Sequence, residues 1–259
     1  MSLTYWDYLK LAALLDLQEP RSKPPEHDEM LFIVIHQVYE LWFKLLLHEL
    51  EKTKADFSED HLFGAIATLQ RTRHILKTLV GQLDILETMT PMSFTSFRDR
   101  LEDASGFQST QFRELEFVLG YKRESVLKYH KNSPAYATLE QRLRERSLVD
   151  HFYDFLGHRG VDIPTELRDR DLTEPTQPHA MIQEGLFHLY KTQSDVTILL
   201  ELMTDFDEGF QEWRYRHVKL VERTIGSKQG TGGSPGVPFL KQSLFVPLFP
   251  DLWAIRHKL

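Results

Sequence analysis

A few histidines, arginines and glycines stand where reactive chemistry and apolar surroundings meet. His217, in Trp213-Arg214-Tyr215-Arg216-His217, shares one helical face with Phe210, Trp213, Leu220, Val221 and Thr224. A histidine so placed is commonly a core residue bonded to a carbonyl. Its other reading is an axial ligand, since an apolar helix face can cover a porphyrin while the imidazole holds its iron. Arg214 and Arg216 are then candidates for the porphyrin's carboxylates, or simply exposed cations. His36 has Phe32 and Ile33 one turn before it and Tyr39 and Glu40 one turn after. Either it is buried with one hydrogen bond, oriented by Glu40, or it is a neutral imidazole that accepts a substrate N–H in a dry pocket. Arg98 follows Phe94 and Phe97; it is a surface cation or a planar clamp for a carboxylate.

Other chemistry is disfavoured. The chain contains no cysteine, which removes disulfides, thiolate nucleophiles, iron–sulfur clusters and thiolate-ligated haem. No Glu-x-x-His occurs, against a ferritin-like di-iron bundle. His27-Asp28-Glu29 carries a His-x-Glu, but Asp28 reads better as a helix cap; His151 and His158 read as sharing a helix face without a metal. The run Gly230-Thr231-Gly232-Gly233-Ser234-Pro235-Gly236 lacks the preceding strand and the Gly-Lys-Ser/Thr ending of a nucleotide loop. It reads as a loop closing over a small substrate, with backbone N–H groups and the Thr231 hydroxyl as donors.

The elements that must hold these residues are helical. Thr4 to Asp7 reads as a capping box opening a short amphipathic helix through Leu15, tethered by the proline-rich stretch Glu19–Pro25. Such a helix cannot bury its face alone and must dock on this subunit or a neighbour. Long helices are expected over Asp28 to about Lys54 and about Asp60 to Glu87, and further ones over about Ser109–Leu119, Pro178–Met203 and Asp205–Ile225. The first is apolar nearly all round, as in the centre of a bundle. Thr88–Gln108 is interrupted, about 121–177 is a more polar peripheral subdomain, and Phe239–Leu244 closes the list. With no period-2 strand and no repeat, the fold class is all-α: a single domain over 1–259, a helical bundle around a pocket. A net charge of −7 argues against nucleic acid. No apolar run without interruption reaches the roughly 18 residues of a membrane helix, and the start lacks a signal-peptide pattern. A cytoplasmic protein with no membrane or nucleic-acid partner is expected.

Several motifs in order resemble the tryptophan 2,3-dioxygenase family. They are Pro25-Glu26-His27-Asp28-Glu29-Met30-Leu31-Phe32-Ile33 with His36-Gln37 and Glu40-Leu41-Trp42, Ser105-Gly106-Phe107-Gln108-Ser109, Trp213-Arg214-Tyr215-Arg216-His217, and Gly230-Thr231-Gly232-Gly233-Ser234. They keep the family's order over nearly the whole chain. The resemblance implies haem b, ferrous when active, with His217 as the axial iron ligand and Trp213 and Ser105 beside the cofactor. It implies His36 at the indole N–H, Arg98 at the substrate carboxylate and Thr231 at its ammonium group. Phe32, Phe94, Phe97 and Leu101 become pocket walls, and Phe94 stands where some bacterial members carry tyrosine. Tyr5, Tyr8 and Leu9 match an N-terminal element lent to a neighbouring active site in a homotetramer. The implied reaction inserts both atoms of O₂ across the indole C2–C3 bond of L-tryptophan to give N-formylkynurenine, the first step of tryptophan breakdown by the kynurenine route. An indole N–H is a very weak acid, which favours orientation over proton removal for His36. A haem oxygenase acting on a substituted indole and a non-catalytic haem or amino-acid sensor are the alternatives.

Overall fold

The computed structural model describes residues 2–131, 133–231 and 236–259. Among them are thirteen α-helices and no strand, as the apolar periodicity predicts. Two short N-terminal helices, α1 (Tyr5–Tyr8) and α2 (Leu11–Leu14), precede the long α3 (His27–Ser58) and α4 (Leu62–Leu86). Then come α5 (Pro91–Arg98), α6 (Thr110–Val118), α7 (Tyr136–Arg144), α8 (Leu148–His158) and α9 (Thr165–Arg168). The chain ends with α10 (Ala180–Thr192), the long α11 (Ser194–Ile225), α12 (Val237–Lys241) and α13 (Pro250–Ala254).

The core is built on three of these. Helix α3 packs on α4, α6 and α8, and α4 packs on α11. The α3 stripe Ile35, Tyr39, Phe43, Leu46 and Leu50 is buried, and it meets Leu69, Leu76, Leu79 and Leu83 of α4. From α11, Leu199, Met203, Phe206, Phe210 and Trp213 enter the same cluster. Phe57 of α3 packs on Phe152 and Phe155 of α8, with ring centroids 5.4 and 5.6 Å apart. Phe117, Val126, Leu127, Leu139 and Leu143 form a separate small cluster. Each fully buried Leu or Phe contributes on the order of 1.5–3 kcal/mol, so the three long helices dominate the stabilisation.

Several boundaries differ from the sequence reading. The first helix breaks at Lys10, whose φ of 53° is left-handed, although Thr4 accepts the Asp7 N–H as expected (3.2 Å). Asp28 is not a cap: α3 starts at His27 after Glu26, leaving Asp28 in the first turn, where the helix dipole favours a carboxylate. The expected break near Thr204 is absent. Helix α11 instead begins at Ser194, because Gln193 leaves helical geometry (φ −129°, ψ 88°) while Thr204 bonds back to the Leu200 carbonyl within an unbroken helix. The helix expected over Phe239–Leu244 runs Val237–Lys241.

Two expectations concern surfaces. Helix α3 is apolar all round in sequence, yet Met30, Val34 and Leu41 are exposed, so only one side faces this chain's core. By length and mean hydropathy (1.5 over its most apolar window) α3 matches a membrane-crossing helix. That modifies the reading based on uninterrupted runs, because windows tolerate the few charges in this segment. Its buried stripe is what a core helix requires.

Tight turns complete the frame. Ser109 caps α6 by accepting the Phe112 N–H (3.2 Å), and Gly120 ends that segment at φ +90°. A side chain at Gly120 would also meet Thr176 Oγ1 at 2.8 Å, so glycine is needed there on both counts. Asp207 of α11, wholly buried, accepts from the backbone of Leu248 and Phe249 and from Trp253 Nε1, at 2.8, 2.9 and 2.9 Å. The last segment is thereby fixed to α11.

Candidate active site

Helices α3 and α11 turn His36 and His217 towards one cavity of about 260 Å³. Both rings lie deep in the fold while keeping some accessible surface, as side chains facing an internal space must. The remaining wall comes from the end of α4, Met89, α5, the 105–116 segment, Arg123, residues 230–231 and residues 236–243. Most of it is apolar, including Phe43, Leu83, Leu86, Phe112, Val218 and Leu220.

His36 Nδ1 lies 2.7 Å from the Phe32 carbonyl, one turn back. A carbonyl only accepts, so Nδ1 carries the proton and Nε2 is left with a lone pair. Burial pushes the pKa of His36 down, against the opposing effects of the Phe32 carbonyl and Glu40. The ring is neutral near pH 7 and presents one acceptor. Glu40 does not orient it, contrary to the i+4 expectation: its Oε2 receives Gln111 Nε2 at 2.8 Å. A backbone carbonyl, available at every helical position, performs that task.

His217 makes no hydrogen bond among the described residues. Its ring lies parallel to Trp213, with centroids 5.1 Å apart and planes 5° apart. Burial, then His36 and Arg113, push its pKa down to about 4. A neutral imidazole with a free nitrogen on an apolar wall is the form that coordinates a metal. His217 is therefore not the carbonyl-bonded core histidine that its pattern allowed.

The aromatic wall and the mouth come from α5 and its sequel. Phe32 stacks near His36 (centroids 4.0 Å) and meets Phe94 at 5.8 Å and Phe97 at 5.6 Å. Phe97 is fully buried behind the other two and does not line the cavity; nor does Leu101, which packs against the core. Arg98 is half-buried at the mouth, and its Nη2 donates to the Gln229 carbonyl at 2.7 Å. Thr231 Oγ1 donates to the Ala104 carbonyl at 2.6 Å, next to Ser105, whose Oγ accepts the Phe107 N–H at 3.3 Å. The Arg98–Gln229 and Thr231–Ala104 bonds hold the start of the glycine-rich loop against the α5 side. Gly232, Gly233, Ser234 and Pro235, the rest of that expected loop, lie outside the described residues. Tyr5, Tyr8 and Leu9 are exposed and take no part in this chain's cavity.

Comparison with known proteins gives a consistent answer. The family model described as tryptophan 2,3-dioxygenase matches residues 1–160 and 168–259. A protein named tryptophan 2,3-dioxygenase from Herpetosiphon aurantiacus is 54% identical over 258 residues, covering all of this chain and 99% of its own length. One of the same name from Anaeromyxobacter dehalogenans is 48% identical over 259 residues, covering 100% of this chain and 97% of that protein. One from Burkholderia pseudomallei is 43% identical over 262 residues, covering 100% of this chain and 85% of that protein. The chain belongs to the tryptophan 2,3-dioxygenase family. Within that family's all-α frame, the motifs quoted for the resemblance supply His36, Ser105, His217 and Thr231 to one cavity, and the α5 segment adds Phe94 and Arg98.

Other motifs that invite chemistry are structural. Buried Glu29 accepts from the backbone of Arg21 (2.7 Å) and Ser22 (3.0 Å), anchoring the linker instead of a metal. His151 and His158 both bond Ser58 at the end of α3, at 2.7 and 3.1 Å. No cluster of metal-binding side chains occurs among the described residues. Arg216 points outward to Asp84 (2.6 Å) and Glu87 (3.3 Å), whereas Arg214 is buried on the cavity wall.

A polar group, of which the sequence pointed only to Arg214, completes the wall. Arg113 and Arg123 both pair with Oε2 of buried Glu116, Arg123 at 2.8 Å, and Arg214 Nη2 stands 3.5 Å from Oε1. All four line the cavity. Arg113 and Glu116 at i, i+3 in α6 were a usable signal for one buried pair; their union with residues 123 and 214 was not.

Proposed function

We propose that this protein is a haem-dependent dioxygenase that adds both atoms of O₂ across the indole C2–C3 bond of L-tryptophan, giving N-formylkynurenine. The carrying observation is that one cavity joins a neutral His217 with no hydrogen bond among the described residues, a His36 fixed as an acceptor, and Arg98 at the mouth. Family membership over nearly the whole length supports the same reading.

The residues present fit an iron porphyrin. His217 offers a free imidazole nitrogen, Trp213 lies parallel to its ring, and apolar side chains spread on either side. Haem iron, when bound, supplies the oxygen activation that no amino-acid side chain provides. The chain's own residues do the rest. Arg98 binds the substrate carboxylate and Thr231 Oγ1 accepts from its ammonium group. His36 Nε2 accepts the indole N–H, which fixes the ring's tilt. No proton leaves through Nδ1, because that nitrogen is committed to the Phe32 carbonyl. Phe32 and Phe94 flank the indole with Phe97 and Leu101 packed behind, and Ser105 lines the same space. Water exclusion and orientation are the protein's share of the rate enhancement.

A turnover experiment under isotopically heavy O₂ checks the reaction type. The expected product is heavier than tryptophan by two labelled oxygen atoms; incorporation of one would replace the reading with a monooxygenase, and no turnover by reduced, haem-loaded protein would replace it with a sensor.

The active unit is a homotetramer in which α1 and the residue after it lend Tyr5, Tyr8 and Leu9 to a neighbour's cavity. Helices of four residues are far below the roughly 12–15 at which isolated helices become stable, and those three side chains are 75, 70 and 40% exposed here. A copy of this chain would give them a surface. Removal of residues 1–16 is expected to lower both activity and the tetramer fraction, read by assay and light scattering; a fully active, tetrameric truncation overturns the shared site. The whole chain acts as one domain; among the described residues from about 121 to 177, Arg123 alone reaches the cavity wall. A cytoplasmic location, where cellular reductants are at hand, suits an enzyme that needs ferrous iron, and substrate and O₂ are its small-molecule partners. Fractionation that places the protein with membranes would overturn that location.

A further inference from the structure

We infer that Arg113, Arg123 and Arg214, gathered around Glu116, are the seat of the two porphyrin carboxylates. The inference rests on the haem reading above and adds a binding subsite to it.

Three guanidiniums meet one carboxylate, so the cluster carries two positive charges beyond what Glu116 neutralises. Arg113, Glu116 and Arg214 are each at most 5% exposed. Burial pulls the basicity of Arg113 down, and Arg123 and Arg214 oppose its charge further; Arg214 is held down by burial and by Arg123. Like charges so close in a poorly polarisable interior repel strongly. Asp207 also bears on Arg214, but its oxygens are taken by Leu248, Phe249, Trp253 and Gln211.

Hydrogen bonding points the same way. Nε of Arg113, Arg123 and Arg214, and Nη2 of Arg214, are buried with no hydrogen-bond partner among the described residues. These four are among eleven such side-chain atoms in the described residues, concentrated on one patch of one cavity. Buried donors without acceptors are rare in folded proteins and call for an explanation. A planar guanidinium is suited to a carboxylate, often through two parallel bonds.

Position then selects the ligand. Arg214 precedes His217 by three residues on α11, about one helical turn, and both line the cavity. An iron porphyrin has an apolar, flat body and both its carboxylates on one edge. Held at the iron by His217, it is an anion of matching charge for this patch. Arg98 differs in kind: a single half-buried guanidinium, already bonded to Gln229, suited to the one carboxylate of an amino acid. The carboxylates of the porphyrin and of the amino acid are thus sorted by charge and burial.

The test compares full-length protein, produced with limiting haem and reconstituted with protohaem IX or its dimethyl ester, which lacks both negative charges. Both should give a histidine-ligated Soret spectrum, with the ester dissociating at least about 30-fold more readily, the low end for a desolvated charge pair. Arg123→Gln, the least buried position, should narrow the gap between the two porphyrins and speed haem loss from the ferric holoprotein to excess apomyoglobin. A gap unaltered by Arg123→Gln would reduce it to ester bulk and overturn the inference. Equal affinity for the two porphyrins would overturn the carboxylate seat while leaving the haem reading intact. Absence of any histidine-ligated spectrum with protohaem would overturn the haem reading itself, and the seat with it.

Discussion

Replacement of His217 by alanine is expected to give folded protein that purifies almost free of haem. The ring is neutral at any pH well above 4, has no hydrogen-bond partner among the described residues, and faces the cavity. Its removal therefore breaks no internal bond and leaves a space lined by Trp213 and Val218. Secondary structure should persist, because α11 is anchored elsewhere by Phe206, Phe210 and Asp207. The measurement is Soret absorbance per chain beside far-ultraviolet circular dichroism. Added imidazole should restore part of the absorbance by occupying the vacated space. A variant that keeps the parent's absorbance per chain and its ligand-field spectrum would show that another group holds the iron.

The second large effect concerns substrate affinity. Truncating one partner of a buried charge pair costs about 2–5 kcal/mol, and Arg98→Ala should fall near the lower end. Arg98 is only half-buried, and without substrate it already donates to the Gln229 carbonyl. Binding tryptophan exchanges one acceptor for a better one, so about 2 kcal/mol is lost, roughly a 30-fold rise in KM. Tryptamine, which lacks the carboxylate, supplies the internal control. The parent should favour tryptophan over tryptamine strongly, and the variant should discriminate little. Unchanged discrimination would remove Arg98 from the carboxylate site.

Much of the frame was legible because burial imprints a period on α3, α4 and α11. Ile35, Tyr39, Leu46 and Leu50 recur at helical spacing and are buried together. Breaks were less legible. The departure at Gln193 depends on backbone angles that no residue type there demands, and Lys10 adopts a conformation usually left to glycine or asparagine. Among site residues, His36 could be singled out but its orienting partner could not, since the Phe32 carbonyl is invisible to side-chain pattern. The arginine cluster was hidden for another reason. Its members lie on α6, in the turn after Gly120 and on α11, and only the packing of these elements reveals that three cations share one carboxylate.

The clasp at Asp207 has a consequence for the end of the chain. One carboxylate oxygen gathers three donors from residues 248, 249 and 253, and Arg214 donates to the carbonyls of Ser243 and Val246 at 3.3 and 3.1 Å. Cutting the chain before Leu248 would strip a buried carboxylate of three of its four hydrogen-bond donors, leaving only Gln211. The final dozen residues are consequently poor ground for trimming or for splicing in a reporter, even though none of them lines the cavity.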